Sequence, residues 1–146
     1  MKKVLFKVIL VVILITILCT GCKKTETTSW DLTVEANLGG DFNIVGTAEI
    51  TIEGDLFVAQ ITTSTIGGAE EVYNIELSGT VDGSALIVTD DSFILNTPNG
   101  NEYVTINSAE INKSKTSLSG SGTMTVTPAG MTTEITGDFT LTGTKM

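Results

Sequence analysis

The sequence predicts an all-β domain: an eight-stranded antiparallel up-and-down meander closing into a barrel, preceded by a cleaved N-terminal signal helix. A two-sheet β-sandwich is the alternative. Three observations carry this expectation. From residue 30 onward apolar and polar residues alternate with a period of two, the pattern of strands with one buried face. Turn signals built from Gly, Asp and Asn interrupt the alternation at intervals of roughly ten to thirteen residues. Thr and Gly are abundant while aromatics make up 5% and Pro occurs twice, a composition that suits tight-turned strands better than helices. At 146 residues the chain has room for one domain with a real core.

The first element is a leader. Met1-Lys2-Lys3 is a basic start, and Val8 to Leu18 is apolar apart from Thr16, with the length of a signal-peptide core and short for a membrane span. Leu18-Cys19-Thr20-Gly21-Cys22 follows, and resembles a bacterial lipobox, in which small residues precede a Cys that is acylated and becomes the new N-terminus. Cys19 departs from the aliphatic residue usual at its position. A Cys19–Cys22 disulfide or an uncleaved leader are the alternatives. The expected division is therefore residues 1–21 as signal peptide, 22–29 as lipidated Cys22 with a flexible polar tether, and 30–146 as the barrel. The stretch from Lys23 to Ser29 would reach about 23 Å when extended. The several acyl chains of a lipoprotein, at about 0.8 kcal/mol per buried methylene, would hold the domain firmly to a membrane. Lys23 stands where Asp usually marks inner-membrane retention, so the resemblance implies the outer membrane.

The strands follow in order. Trp30, Leu32, Val34, Ala36 and Leu38 share one face, and after Gly39-Gly40-Asp41 the face continues with Phe42, Ile44, Gly46, Ala48, Ile50 and Ile52. That loop pairs Leu38 with Phe42, Val34 with Gly46 and Trp30 with Ile50. Gly54-Asp55 turns into Phe57, Ala59 and Ile61, with Val58 outward. Gly67-Gly68-Ala69 turns into Tyr73, Ile75, Leu77, Gly79 and Val81. Asp82-Gly83 reads as a two-residue hairpin turn setting Leu77 against Val88, and Asn99-Gly100 as another, setting Phe93 against Ile106. Between these turns the apolar parity changes across Asp90-Asp91, which fits one bulged strand; a matching slip near Asn107-Ser108 places a second bulge in the next strand and a bend where the two meet. Lys113-Ser114-Lys115 leads into the last hairpin, Thr116 to Thr144. Aligning its faces puts Val126 opposite Met131 across a four-residue loop, Thr127 to Gly130.

Composition also limits function. There is no His, and all eight basic residues are Lys. The chain thus lacks the proton-transfer group best suited to neutral pH, the commonest transition-metal ligand and the planar guanidinium fork. Ser residues fall on turns and outward faces with no His to activate them, so an enzyme is not expected, nor a cofactor. Cleavage before Cys22 leaves five lysines against seventeen acids, a formal charge of −12 that disfavours nucleic acid as a partner. Asp90-Asp91, Glu70-Glu71 and the stretch from Asn96 to Glu102 lack the ligand spacing of a calcium loop and read as solvated turns, so no metal site is expected.

The mature chain resembles a calycin, the lipocalin-like class of eight-stranded barrels, and more narrowly the small calycin-like lipoproteins of Bacteroides-type bacteria. Ser29-Trp30-Asp31-Leu32 is similar to the Gly-x-Trp of the lipocalin first strand, and Lys145 to the basic residue that packs over that Trp. Thr28 stands in place of the Gly, and no C-terminal helix follows. The resemblance implies barrel closure by Trp30 and Lys145 through a cation–π contact, and the binding of a small apolar or amphipathic ligand. Tyr73, Tyr103, Asn107 and Gln60 are the polar candidates for lining such a site. The rival expectation is a filled core in a non-catalytic accessory lipoprotein that contacts another envelope protein. Inward glycines (Gly46, Gly79, Gly120, Gly122, Gly137) carry the choice between tight curvature and an open cavity.

Overall fold

The computed structural model describes residues Lys24 to Met146; the leader, its cleavage and Cys22 lie outside the described residues. Nine strands form one antiparallel sheet: β1 Thr25–Asn37, β2 Asp41–Glu53, β3 Leu56–Ile66, β4 Ala69–Glu70, β5 Asn74–Asp82, β6 Ala85–Thr97, β7 Gly100–Lys113, β8 Ser117–Thr127 and β9 Ile135–Lys145. Each long strand pairs with its neighbours in sequence, and β1 pairs with both β2 and β9, so the sheet closes on itself. The result is an eight-stranded up-and-down barrel with the two-residue β4 as an extra rung on β3. Closure leaves no second sheet, which excludes the sandwich.

The inward faces are those set by the period-two pattern, but several registers differ from expectation. Trp30 faces Ala48, Leu32 faces Gly46 and Val34 faces Ile44, so β1 and β2 are joined by Leu38-Gly39-Gly40 and Trp30 does not face Ile50. Val81 faces Leu86, which moves the β5–β6 turn to Gly83-Ser84. Gly83 alone there has positive φ, at 59°, as a Gly-first hairpin turn requires; an Asp-Gly turn would need Asp82 in that region too. Phe93 faces Val104 and Thr97 faces Gly100, so Pro98-Asn99 forms the next turn, with proline at the position its fixed φ favours.

The largest correction concerns the final hairpin. Val126 faces Ile135 and not Met131, and residues 128–134 form a long loop with Met131 61% exposed. Side-chain size explains the choice. In the observed register Gly122 lies opposite Phe139, Gly120 opposite Leu141 and Gly143 opposite Leu118. A Cβ at Gly122 would sit 2.7 Å from the Phe139 ring. The four-residue loop would instead have set Gly120 against Gly137 and Leu118 against Phe139, leaving a void beside a clash.

The two bulges fall at one level, as the parity slips indicate. Asp90 and Asn107 drop out of an otherwise continuous β6–β7 ladder at the same point, and Asp90 takes φ 50°. Against β8, the extra residue Asn107 is absorbed as a bulge between Ile106 and Ser108. Against β5, the extra residue in β6 is not absorbed. The β5–β6 ladder consists of Thr80–Ile87, Val81–Leu86 and Asp82–Ala85 and then stops.

Strand β1 starts earlier than the tether reading implies. Thr25 to Ser29 pair with Glu53 to Glu49, and Thr28 is buried, its hydroxyl accepting a 2.9 Å bond from the Trp30 indole nitrogen. Glu26 carries an ion pair with Lys113 at 2.8 Å. These partners hold the segment in the wall.

Candidate functional site: a cavity at one end of the barrel

Core and cavity occupy opposite ends. At the end where β1 begins, Trp30, Leu86 and Val88 are almost wholly buried and pack with Ile50, Phe57, Ile111, Leu118 and Leu141. The inward glycines are spent here and along the β8–β9 wall. A Cβ at Gly79 would meet Phe57, and one at Gly143 would meet Leu32 and Leu118. Gly79, Gly122 and Gly143 admit large side chains from facing residues and so fill the core, whereas Gly46 and Gly137 lie against the backbone of Thr62 and Asn37.

Toward the other end the same inward faces splay around a cavity of about 480 Å³. Phe42 and Ile44 of β2, Phe93 and Leu95 of β6, Val104 of β7, and Met124 and Val126 of β8 form its walls, with Ile75 across from them on β5. The space exists because the β5–β6 ladder ends after Thr80 and Ile87. Beyond that point Ile75 and Phe93 line a gap where a continuous sheet would have drawn their backbones together. A volume of this size, mostly apolar with a few polar groups at its edge, falls in the range of small-molecule sites.

The polar groups gather at the rim. Glu71 and Tyr73 reach it from the segment between β4 and β5, and Asn99 and Glu102 from the β6–β7 turn and the start of β7. Thr63, 1% exposed, fixes the first of these: its hydroxyl donates to the Glu71 carbonyl at 2.8 Å and accepts from the Tyr73 amide at 2.8 Å. The Tyr73 hydroxyl donates to Glu71 Oε2 at 3.0 Å. Partial burial, this bond and the negative charges of Glu71 and Glu102 push the Tyr73 phenol above its ordinary range, so it stays a neutral donor.

Of the four residues proposed from sequence as ligand-lining, Tyr73 is placed at the cavity and three are not. Gln60 lies on the outer face and donates to Glu76. Tyr103 is 54% exposed, because odd positions before the β7 bulge point outward. Asn107 is the bulged residue itself, and its amide donates to Thr125 Oγ1 at 2.9 Å. Trp30 and Lys145 are direct cross-strand partners at the closed end, far from the cavity. The cavity residues that sequence reasoning did not separate out, Phe42, Phe93, Leu95 and Glu71, had only their inward parity or their turn position as a signal.

The acidic pairs have structural uses. Asp91 accepts from the Ser78 amide at 2.6 Å and from the Ser92 amide at 3.0 Å, taking the place of a sheet partner where the β5–β6 ladder stops. Among the described residues no three Asp, Glu or Cys side chains cluster as a metal site would need. No family model, no curated protein and no solved structure matches the chain.

Proposed function

We propose that the chain is a lipid-anchored, extracytoplasmic binding protein whose barrel takes a small amphipathic molecule, apolar body inward and polar group at the rim. The observation that carries this reading is the cavity: an apolar chamber that opens off the filled core, with Tyr73 and Glu71 held at its edge by Thr63. A barrel stabilised by its core alone has no need of an apolar-walled chamber at one end. The anchor rests on the leader and its lipobox-like end at Cys22, and the cell-envelope location, outer membrane included, follows from that anchor. The resemblance to lipocalin-like lipoproteins supports the same ligand class.

The test is native mass spectrometry of the protein purified from its own envelope, together with displacement of the neutral fluorophore N-phenyl-1-naphthylamine. A co-purifying small molecule, and fluorophore binding weakened about ten-fold by Leu95→Trp with the melting temperature kept, is the expected result. A clean apo mass with no fluorophore binding removes the reading. One observation favours a second reading, an accessory module that contacts another envelope protein: Ile94 and Tyr103 form an exposed cross-strand apolar pair on the outer wall. A protein that co-purifies with the wild type and is lost with Ile94→Lys would favour it.

A further inference from the structure

We propose that the mouth selects its ligand by charge: the molecule that enters the cavity is a cationic amphiphile, an organic ammonium group on an apolar body, and carboxylates such as fatty acids are turned away. The proposal rests on the cavity reading above and adds to it the chemical class of the ligand's polar end.

Hydrogen-bond capacity is lopsided at the rim. The polar side chains lining the cavity are Glu71, Tyr73, Thr97, Asn99 and Glu102. Their hydroxyl donors are spent on the protein: Tyr73 donates to Glu71 Oε2 at 3.0 Å, and Thr97 donates to the Gly100 carbonyl at 2.8 Å. Among these residues the Asn99 amide is the side-chain donor left over. A carboxylate leaving water needs several donors or a cation to replace its hydration, and this rim supplies neither. Acceptors are plentiful, because an ionised carboxylate accepts at about four sites and the Tyr73 bond takes up one of those on Glu71.

Charge points the same way. Glu71 comes from the segment between β4 and β5 and Glu102 from β7. Burial, the bond to Glu71 and the charges of both carboxylates push the Tyr73 phenol up, so Glu71 and Glu102 act on one point of the rim. Asp41, Glu70, Glu134 and Asp138 add the same sign around the mouth. No described cation balances them. Lys24, Lys113, Lys115 and Lys145 are the cations among the described residues, and they lie at the start of β1, the end of β7, the β7–β8 turn and the end of β9, which is the opposite end of the barrel. Strands of this length at a usual barrel tilt put them roughly 30 Å from the mouth. At physiological ionic strength the screening length is about 8 Å, so they do not offset the rim.

Aromatic side chains complete the match. Phe42, the first inward residue of β2, lines the cavity at the mouth end with Tyr73, and Phe93 lines it deeper. Aromatic faces attract cations and are the usual partners of quaternary ammonium groups. An ammonium at the rim would meet carboxylates and aromatic rings together, with its apolar body among Leu95, Val104 and Met124.

To test the selection, the full chain is reconstituted into phosphatidylcholine vesicles and dialysed against octyltrimethylammonium, 1-octanol or octanoate. Dialysis sets equal free concentrations whatever the lipid takes up. Trp30, the single Trp of the chain and wholly buried, reports unfolding by its emission. A ligand that binds the folded state raises the unfolding temperature once its concentration exceeds its dissociation constant. Octyltrimethylammonium should do so at about one-tenth of the octanol concentration, and octanoate should need at least about ten times more than octanol. Salt at about 0.5 M should narrow the gap between cation and alcohol. Glu71→Gln with Glu102→Gln, which keeps a carbonyl acceptor for Tyr73, should bring the three within about three-fold of one another. Glu49→Gln with Glu110→Gln removes the same charge from the outer wall and should leave the order intact. Octanol or octanoate acting at the same concentration as the cation, or the two paired variants weakening the preference equally, overturns the proposal. Leu95→Trp separates this failure from failure of the cavity. Three equal responses that Leu95→Trp abolishes keep the cavity and lose the selection; no response to any of the three, or responses that Leu95→Trp leaves in place, loses both.

Discussion

The wall formed by β8, β9 and β1 and the seam between β5 and β6 are built from the same alternating pattern, yet one is shut and the other open. In the first, Gly122, Gly120 and Gly143 lie beneath Phe139, Leu141 and Leu118, and the ladder runs without a break from Ser117–Thr144 to Val126–Ile135. In the second, the ladder ends after Thr80–Ile87 and a carboxylate, Asp91, takes over the next amide. In this barrel the chamber lies where the sheet fails to pair. The ladder stops just short of the extra residue at Asp90, which β5 does not absorb as β8 absorbs Asn107.

Substitutions in the wall should have the largest effects. Trp30→Ala removes the most buried large side chain and leaves Thr28 without its indole partner; unfolding in urea should show a loss of about 3–5 kcal/mol. Gly122→Ala should cost about 1–3 kcal/mol in the same assay, since the added methyl meets the Phe139 ring and the Ser108 carbonyl. Truncations at the two ends of β6 sharpen the contrast. Leu86→Ala, in the filled end, should lose about 2–5 kcal/mol, whereas Leu95→Ala, beside the cavity, should lose less than about 1.5 kcal/mol. Equal losses would mean that the chamber is packed in solution.

Smaller effects probe the seam itself. Asp91→Ala should cost about 1 kcal/mol and speed hydrogen exchange at the Ser78 amide, while amides deep in β8 stay protected. The smallest effect is spectroscopic. Tyr73 has a raised folded pKa, so the native state holds its proton more tightly than the unfolded one; the stability this contributes is present below the unfolded value and is lost as pH rises through the folded one. A phenolate absorbance step displaced above the ordinary tyrosine range, and abolished by Tyr73→Phe, is the measurement.

Strand number, strand order and inward faces were legible in the sequence, because a period of two states them directly. Registers were less so, and the reason is specific. A shift of two residues, as between Trp30–Ile50 and the observed Trp30–Ala48, leaves every side chain on its expected face. Only the match of large against small distinguishes such alternatives, and in the last hairpin it outweighed the shorter loop. The cavity was not legible at all. Phe93 and Leu95 obey the same alternation as Phe57 and Leu86, and nothing local tells an inward residue whether a neighbour will reach it. Likewise Thr25 to Ser29 look like a polar linker until Glu53 to Glu49 are set beside them.

Asp90 and Asn107 act as a pair. Each adds a single residue to its strand, and each alone would turn the rest of that strand inside out. Because they stand at the same level, β6 and β7 remain in step with one another on both sides of the insertion. The two residues are therefore coupled: deleting either should put half a strand out of step with its partner, whereas deleting both should keep β6 and β7 in step and give a barrel without the interruption. Such a barrel would have no stop to the β5–β6 ladder and hence no chamber.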